Sequence, residues 1–180
     1  MKKIPQHGIE HQEALKQLAA FAAGDANYRD SKIWSLVYDL GEAHTSFLRE
    51  AYGLYFCENA LNPLAFKSLK RMETEVVQMT AGLLNGDDRV SGVMTSGGTE
   101  SCLLPVFACR ERARKLRRLP FKPEMIAPET IHVAWEKAAK YFDVKMVRAP
   151  VDENFCADAK AMERLINRNT ILLLASAPSY

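Results

Sequence analysis

The chain has 180 residues, with 24 Lys and Arg against 22 Asp and Glu for a net charge of +2, and 48% of it is hydrophobic. That balance excludes a disordered chain and a strongly basic nucleic-acid binder, and the length is enough for one domain with a real core. No window approaches the run of about 18 apolar residues that a membrane span needs, and Met1 to Glu10 has no signal-peptide apolar stretch, so the expected location is the cytoplasm.

Leu15, Leu18 and Phe21 recur at helical spacing and Gly24 stops the pattern, which predicts a short amphipathic helix over 9–23. Further helices are predicted over 41–57 and 66–84. In the second of these Leu69, Met72, Val76, Met79 and Leu83 form one apolar stripe, ended by Asn85-Gly86-Asp87-Asp88. After Arg89 the rhythm changes. Short apolar runs at 90–95, 125–127, 144–148 and 171–175 alternate with helical patterns over 99–116, 131–142 and 158–167, the signature of βαβ units with parallel strands and right-handed crossovers. The run at 171–175 is apolar on both faces and is expected to lie centrally in the sheet. Pro105 falls inside the 99–116 helix, where a proline costs roughly 3 kcal/mol in an unsupported interior, so that helix is expected to distort. Cys57, Cys102, Cys109 and Cys156 show neither CxxC pairing nor a histidine at ligand spacing, so reduced thiols are expected rather than zinc or a redox dithiol.

Chemistry concentrates where the strand at 90–95 turns into a helix through Ser96-Gly97-Gly98-Thr99-Glu100-Ser101. Two glycines let backbone approach an anion, and free N–H groups and the helix dipole favour negative charge there. On local features alone the plainer reading, a tight turn with a threonine cap, stands ahead of a phosphate site. Neither a P-loop nor a GxGxxG fingerprint is present. His132 opens the helix after the next strand, at the same carboxyl edge of the sheet, where it either caps the helix or stacks on an aromatic cofactor ring. Arg110, Arg112, Arg114, Lys115, Arg117 and Arg118 read as a solvated face that complements a helix C-terminus.

In order along the chain stand Tyr38 before Gly41-Glu42, Tyr52-Gly53, Asn59 with Pro63 and Phe66, Leu69-Lys70-Arg71-Met72-Glu73, Glu75-Val76-Val77, Thr95 to Ser101, Ile126-Ala127-Pro128 with His132, Lys137-Ala138-Ala139, Tyr141-Phe142 and Arg168-Asn169-Thr170. This series resembles the sphingosine-1-phosphate lyase branch of the group II pyridoxal-phosphate-dependent decarboxylases, from about residue 31 onward. The resemblance implies an α/β fold: an incomplete aspartate aminotransferase type (fold type I) large domain with a parallel βαβ core, over 66–180. It also implies a preceding helical segment, 1–65, that helps to build a homodimer. Gly97, Gly98 and Thr99 match the turn that holds the phosphate of pyridoxal 5'-phosphate, and His132 matches the histidine that packs on its ring. Tyr38 and Asn59 match positions near the substrate phosphate, at a site shared between subunits. With these matches the glycine turn is expected to bind phosphate.

The family's Schiff-base lysine follows a histidine, whereas the histidines here precede Gly8, Gln12, Thr45 and Val133. No catalytic residue is therefore expected within these residues, which read as a truncated amino-terminal portion. Asn62 and Asp39 stand where the family carries histidines. Both departures weaken the case for a phosphorylated sphingoid substrate and leave another amine open. The expected activity is carbon–carbon lyase or decarboxylase chemistry by family, with the isolated chain inactive or completed by another chain. The alternative is a non-catalytic remnant that dimerises or binds phosphate, and a stand-alone nucleotide binder trails both.

Overall fold

The computed structural model describes residues 4–30, 33, 37–116 and 122–178. The chain divides into two compact units, Met1–Lys70 and Arg71–Tyr180. The first contains α1 (His11–Ala22), a single 3-10 turn at Tyr28–Asp30 and α2 (Glu42–Leu54). No residue of α1 or α2 is buried, and Leu15, Leu18 and Phe21 of α1 and Phe47, Leu48 and Tyr52 of α2 stay exposed. α3 (Lys67–Leu83) begins in this unit and continues in the second.

Helix α3 matches the helix expected over 66–84. The apolar stripe at Met72, Val76, Met79 and Leu83 is exposed, reaching 84% at Leu83, whereas Glu73, Val77 and Ala81 are half-buried. The cause is the segment that follows, which turns back along this other face. Gly86 donates its N–H to the Ala81 carbonyl at 2.8 Å and Met94 donates its N–H to Glu73 Oε1 at 3.1 Å. A Cβ on Gly92 would stand 3.2 Å from Val77 Cγ1, so glycine permits the close approach. The same contacts explain why 90–95 is not a strand. Its apolar pattern fits one, but the Met94 donor is taken by a side chain of α3, and a ladder needs that donor.

After α4 (Gly98–Leu116) come β1 (Glu124–Pro128), α5 (Val133–Phe142), β2 (Lys145–Ala149), α6 (Ala159–Leu165) and β3 (Thr170–Leu173). The strands form a parallel sheet in the order β2-β1-β3, pairing Glu124 with Lys145, Pro128 with Ala149 and Ile126 with Leu173. Among the described residues β1 is therefore the middle strand, and β3, formed by the run expected at 171–175, pairs with it on one side. Burial agrees, because every residue of β1 is buried while Leu173 is exposed. Hydropathy could not separate the two short apolar runs; the crossovers do. The chain goes outward from β1 through α5 to β2, then back across β1 through α6 to β3. Two right-handed crossovers travelling in opposite directions put their helices on opposite faces.

The alternation of β1 serves those two faces. Met125 and Ala127 pack with Val106 of α4 and with Ala138, Ala139 and Val144, while Ile126 packs with Ala149 and Met162. The ends of α5 and α6 are set by single residues. Asp158 Oδ1 accepts the Ala161 N–H at 2.9 Å, and Asp143, at φ +50°, stops α5 in the left-handed region. Arg110 is not part of a solvated face. Its side chain, 14% exposed, lies over the rings of Phe107 and Phe142 and donates to the Phe142 carbonyl at 2.9 Å. Arg117 and Arg118 of the same cluster lie outside the described residues. α4 passes through Pro105 as one helix. Pro105 and Ser101, whose carbonyl loses its partner, are both exposed, so water can serve that carbonyl.

At the amino edge of the sheet Glu124 is buried and accepts from Lys145 Nζ and from Asn167 Nδ2, each at 2.8 Å. The Asn167 bond, then the Lys145 bond, hold its carboxyl below the ordinary glutamate value of 4.5. A lowered folded-state value contributes stability that is complete above the unfolded value and is lost as pH falls through the folded one. Glu124→Ala is expected to cost about 1–2 kcal/mol at neutral pH, kept modest because Lys145 is half exposed. In urea melts the difference from the parent should shrink between about pH 7 and about pH 3. A difference independent of pH would remove the carboxylate from the explanation.

Candidate active site

The segment leaving α3 delivers Thr95 to the mouth of α4. Thr95 Oγ1 lies 2.7 Å from Ser101 Oγ, and the two lie 3.1 and 3.3 Å from the Gly97 carbonyl oxygen, so one hydroxyl donates to the other and the second donates to that carbonyl, which also accepts the Ser101 N–H at 3.1 Å. Gly97 has φ +156°, a conformation that L side chains rarely adopt. A Cβ on either Gly97 or Gly98 would meet no atom within 4 Å, so the turn faces open space. The first N–H groups of α4 have no acceptor within the helix and carry the positive end of its dipole. Glu100, in the first turn, bends back instead of pointing at that space: its Oε2 accepts both the N–H and the hydroxyl of Ser96 at 2.7 Å. The hydroxyl, then the N–H, keep its carboxyl below the ordinary range.

The second element is the loop after β1. Glu129 donates its N–H to the Ala149 carbonyl and Ile131 to the Pro128 carbonyl, each at 3.0 Å, so the turn into α5 is tightly closed. His132 is the N-cap, its Nδ1 accepting the Ala134 N–H at 3.1 Å. With that lone pair used, the neutral ring carries its hydrogen on Nε2. Arg148 of β2 donates to the Glu129 carbonyl at 2.8 Å and pairs with Glu136 in the first turn of α5, so one guanidinium ties the start of the loop after β1 to the first turn of α5.

Whether the glycine turn and His132 meet at one edge depends on the direction of α4. Cys109, Arg112, Ala113 and Leu116 near its end line a hollow with Thr170 and Ile171, the start of β3, so α4 runs antiparallel to the strands. α5 does too, since it leaves the end of β1 and returns to the start of β2. The two helices are therefore co-directional. Phe107 of α4 meets Phe142 at the end of α5, ring centroids 5.4 Å apart. Phe107 lies about 14 Å along α4 from Gly98, and α5 is about 15 Å long, so the two mouths are level to within a turn. Both open at the carboxyl edge of the sheet, beside the boundary between β1 and β3 where the crossovers change direction. In open α/β sheets ligands sit at such a switch point.

Tyr38 and Asn59 belong to the first unit. Tyr38 is 97% exposed in the irregular stretch before α2. Asn59, also exposed, accepts the Leu61 N–H through Oδ1 at 3.1 Å, which leaves its Nδ2 hydrogens to donate elsewhere. The departures at Asp39 and Asn62 have local work: Asp39 Oδ1 accepts the Gly41 N–H at 2.9 Å and Asn62 Oδ1 the Ala65 N–H at 3.2 Å. The sequence reading missed Glu100 and Arg148. An acid in the first turn of a glycine-led helix was the available signal for Glu100; Arg148 had none, because its partners lie across a strand pair.

A family model described as the pyridoxal-dependent decarboxylase conserved domain matches residues 47–172. This chain belongs to the pyridoxal-dependent decarboxylase family. Within that family it is 38% identical over 180 residues to sphingosine-1-phosphate lyase 1 of Rattus norvegicus, covering 100% of this chain and 31% of that protein. It is also 38% identical to sphingosine-1-phosphate lyase of Dictyostelium discoideum, covering 98% of this chain and 33% of the relative. The chain thus spans about a third of the length of these relatives. Its fold matches the solved sphingosine-1-phosphate lyase of Burkholderia pseudomallei K96243 with a TM-score of 0.86 at 33% identity, over 100% of this chain and 43% of that one. Glutamate decarboxylase of Lactobacillus brevis, at 21% identity and a TM-score of 0.76, shares the fold, covering 96% of this chain and 40% of that one. The architecture is that of the fold type I enzymes, and the cofactor of the family is pyridoxal phosphate.

The residues present fit that group. Its phosphate needs convergent N–H donors and room for backbone approach, and the open turn at Gly97, Gly98 and Thr99 provides both. Its ring needs a flat neighbour at the same edge, and His132 stands there with its tautomer set by Ala134. Among the described residues no helix is long and apolar enough to cross a membrane.

Proposed function

We propose that these residues form one wall of the pyridoxal-phosphate pocket of a carbon–carbon lyase or decarboxylase that acts on an amine, phosphorylated or not. The level, co-directional mouths of α4 and α5 at the switch point carry this reading. The N–H groups of Gly98 and Thr99, with the Thr99 hydroxyl, hold the phosphate at a mouth opened by Gly97. His132 packs beside the ring, and its Nδ1 bond to Ala134 keeps the imidazole from rotating. When bound, pyridoxal phosphate supplies an electron sink for the carbon–carbon bond that breaks. Tyr38 and Asn59 are assigned to substrate binding by their match to the family pattern; the exposed Asn59 has amide hydrogens to offer a phosphate or hydroxyl. Residues 66–180 form the first part of the large domain. The segment 1–65 forms a homodimer in the cytoplasm, which the exposed apolar residues of α1 and α2 support.

The 180 residues by themselves are inactive, because no lysine follows a histidine in them to hold the cofactor covalently. Pyridoxal phosphate is therefore expected to bind reversibly. Dialysis should return the absorbance of the chain to baseline, and borohydride should fix no stoichiometric pyridoxyl group, as read by intact-mass spectrometry. A single fixed group on one lysine would overturn this. A chain that self-associates and binds inorganic phosphate, yet does not prefer pyridoxal phosphate to it, would point to the remnant instead.

A further inference from the structure

A glycine pair is a loose platform for an anion, yet the turn before α4 is tied at two points. One tie is the linked pair of hydroxyls, Thr95 and Ser101, which together with the Ser101 N–H anchors the Gly97 carbonyl. The peptide unit is planar and trans, so fixing that carbonyl fixes the opposite direction of the Gly98 N–H. The other tie is the clasp of Glu100 on Ser96 through two bonds of 2.7 Å. A carboxylate in the first turn of a helix is drawn to the same N–H groups and the same dipole as a phosphate. Left free, Glu100 would compete with a dianion and repel it. Held by donors that lie before the helix, it leaves the N–H groups of α4 to a ligand.

We propose that Glu100 is a positioning residue for the cofactor phosphate: by clasping Ser96 it fixes the backbone entering Gly97 and withdraws its own charge from the mouth of α4. This rests on the reading of the turn as a phosphate cradle. Glu100 touches neither ring nor phosphate, so its effect is confined to how well the phosphate is held.

The test titrates the full chain with pyridoxal phosphate and with pyridoxal, which lacks the phosphate, and compares Glu100→Ala and Glu100→Gln with the parent. The parent is expected to prefer pyridoxal phosphate. Glu100→Ala should lose roughly tenfold of its affinity for pyridoxal phosphate and none for pyridoxal. Glu100→Gln, whose amide oxygen still accepts from the Ser96 N–H, should stay within about threefold of the parent. Ser96→Ala removes only the hydroxyl half of the clasp; it should fall between the two, and it takes over the test if circular dichroism shows that Glu100→Ala does not fold. A Glu100→Ala chain that keeps the full preference of the parent, or that loses both ligands alike, overturns the positioning role and leaves the cradle standing. A parent with no preference overturns the cradle itself, and the positioning role with it.

Discussion

Gly98→Asp is expected to abolish pyridoxal-phosphate binding while leaving the fold intact, and the contrast between the two outcomes is the sharpest test of the cradle. Structurally the change is benign. A Cβ on Gly98 meets no atom within 4 Å, Gly98 is the first residue of α4, and an acid in the first helical turn favours the dipole. The melting midpoint should therefore stay within the range of an ordinary surface change, about 0.5 kcal/mol either way. Functionally the same carboxylate occupies the mouth. Two unit charges about 4 Å apart repel by about 4 kcal/mol at a surface-like dielectric, so at least a hundredfold loss of affinity is expected. Gly98→Ala separates charge from bulk, since it adds the Cβ alone and should bind nearly as the parent does. Equilibrium dialysis and thermal melts on the same samples check both limbs. If Gly98→Asp binds the cofactor as the parent does, the phosphate is not held at this turn, whatever else the chain binds.

The βαβ half of the molecule was legible because its signals are local. Apolar runs at 125–127 and 144–148 became β1 and β2 with ends moved by a residue or two, and the helix boundaries settled on the side-chain caps His132 and Asp158. Gly97-Gly98-Thr99 was legible locally only as a turn that opens a helix, which α4 bears out; its reading as a phosphate turn came from the order of matched segments along the chain. What failed to show was decided by partners distant in the chain. The run at 90–95 has the hydropathy of a strand, but Glu73, 21 residues away, takes the Met94 donor. Arg110 was counted among solvated charges because nothing local shows that it lies over Phe142, 32 positions on. A positive charge near a helix end was read correctly as a complement to the dipole, but the helix it caps is α5 and not its own. Order within the sheet was illegible for a similar reason, since it is fixed by the direction of each crossover and not by the composition of a strand.

Ile126→Asp is expected to unfold the second unit. Ile126 is fully buried in the central strand, hydrogen-bonded neighbours stand on both sides, and its side chain packs with Ala149 and Met162 on the face covered by α6. A carboxylate there either ionises without a partner or takes up a proton, and it also forfeits the packing of the isoleucine. Together these cost about 4–5 kcal/mol or more, comparable to the whole stability of a small domain. Ile126→Val removes one methyl group and should cost only about 0.5–1.5 kcal/mol. The site connects to this prediction through geometry: β1 sets the level of His132, and α4 is held against the same sheet. Loss of the β1 register should therefore remove both cofactor binding and the cooperative melt, whereas Ile126→Val should keep both. Urea titrations followed by circular dichroism, with cofactor binding read on the same protein, would show it. A soluble Ile126→Asp chain with a cooperative transition near that of the parent would mean that β1 is not the strand on which this unit is built.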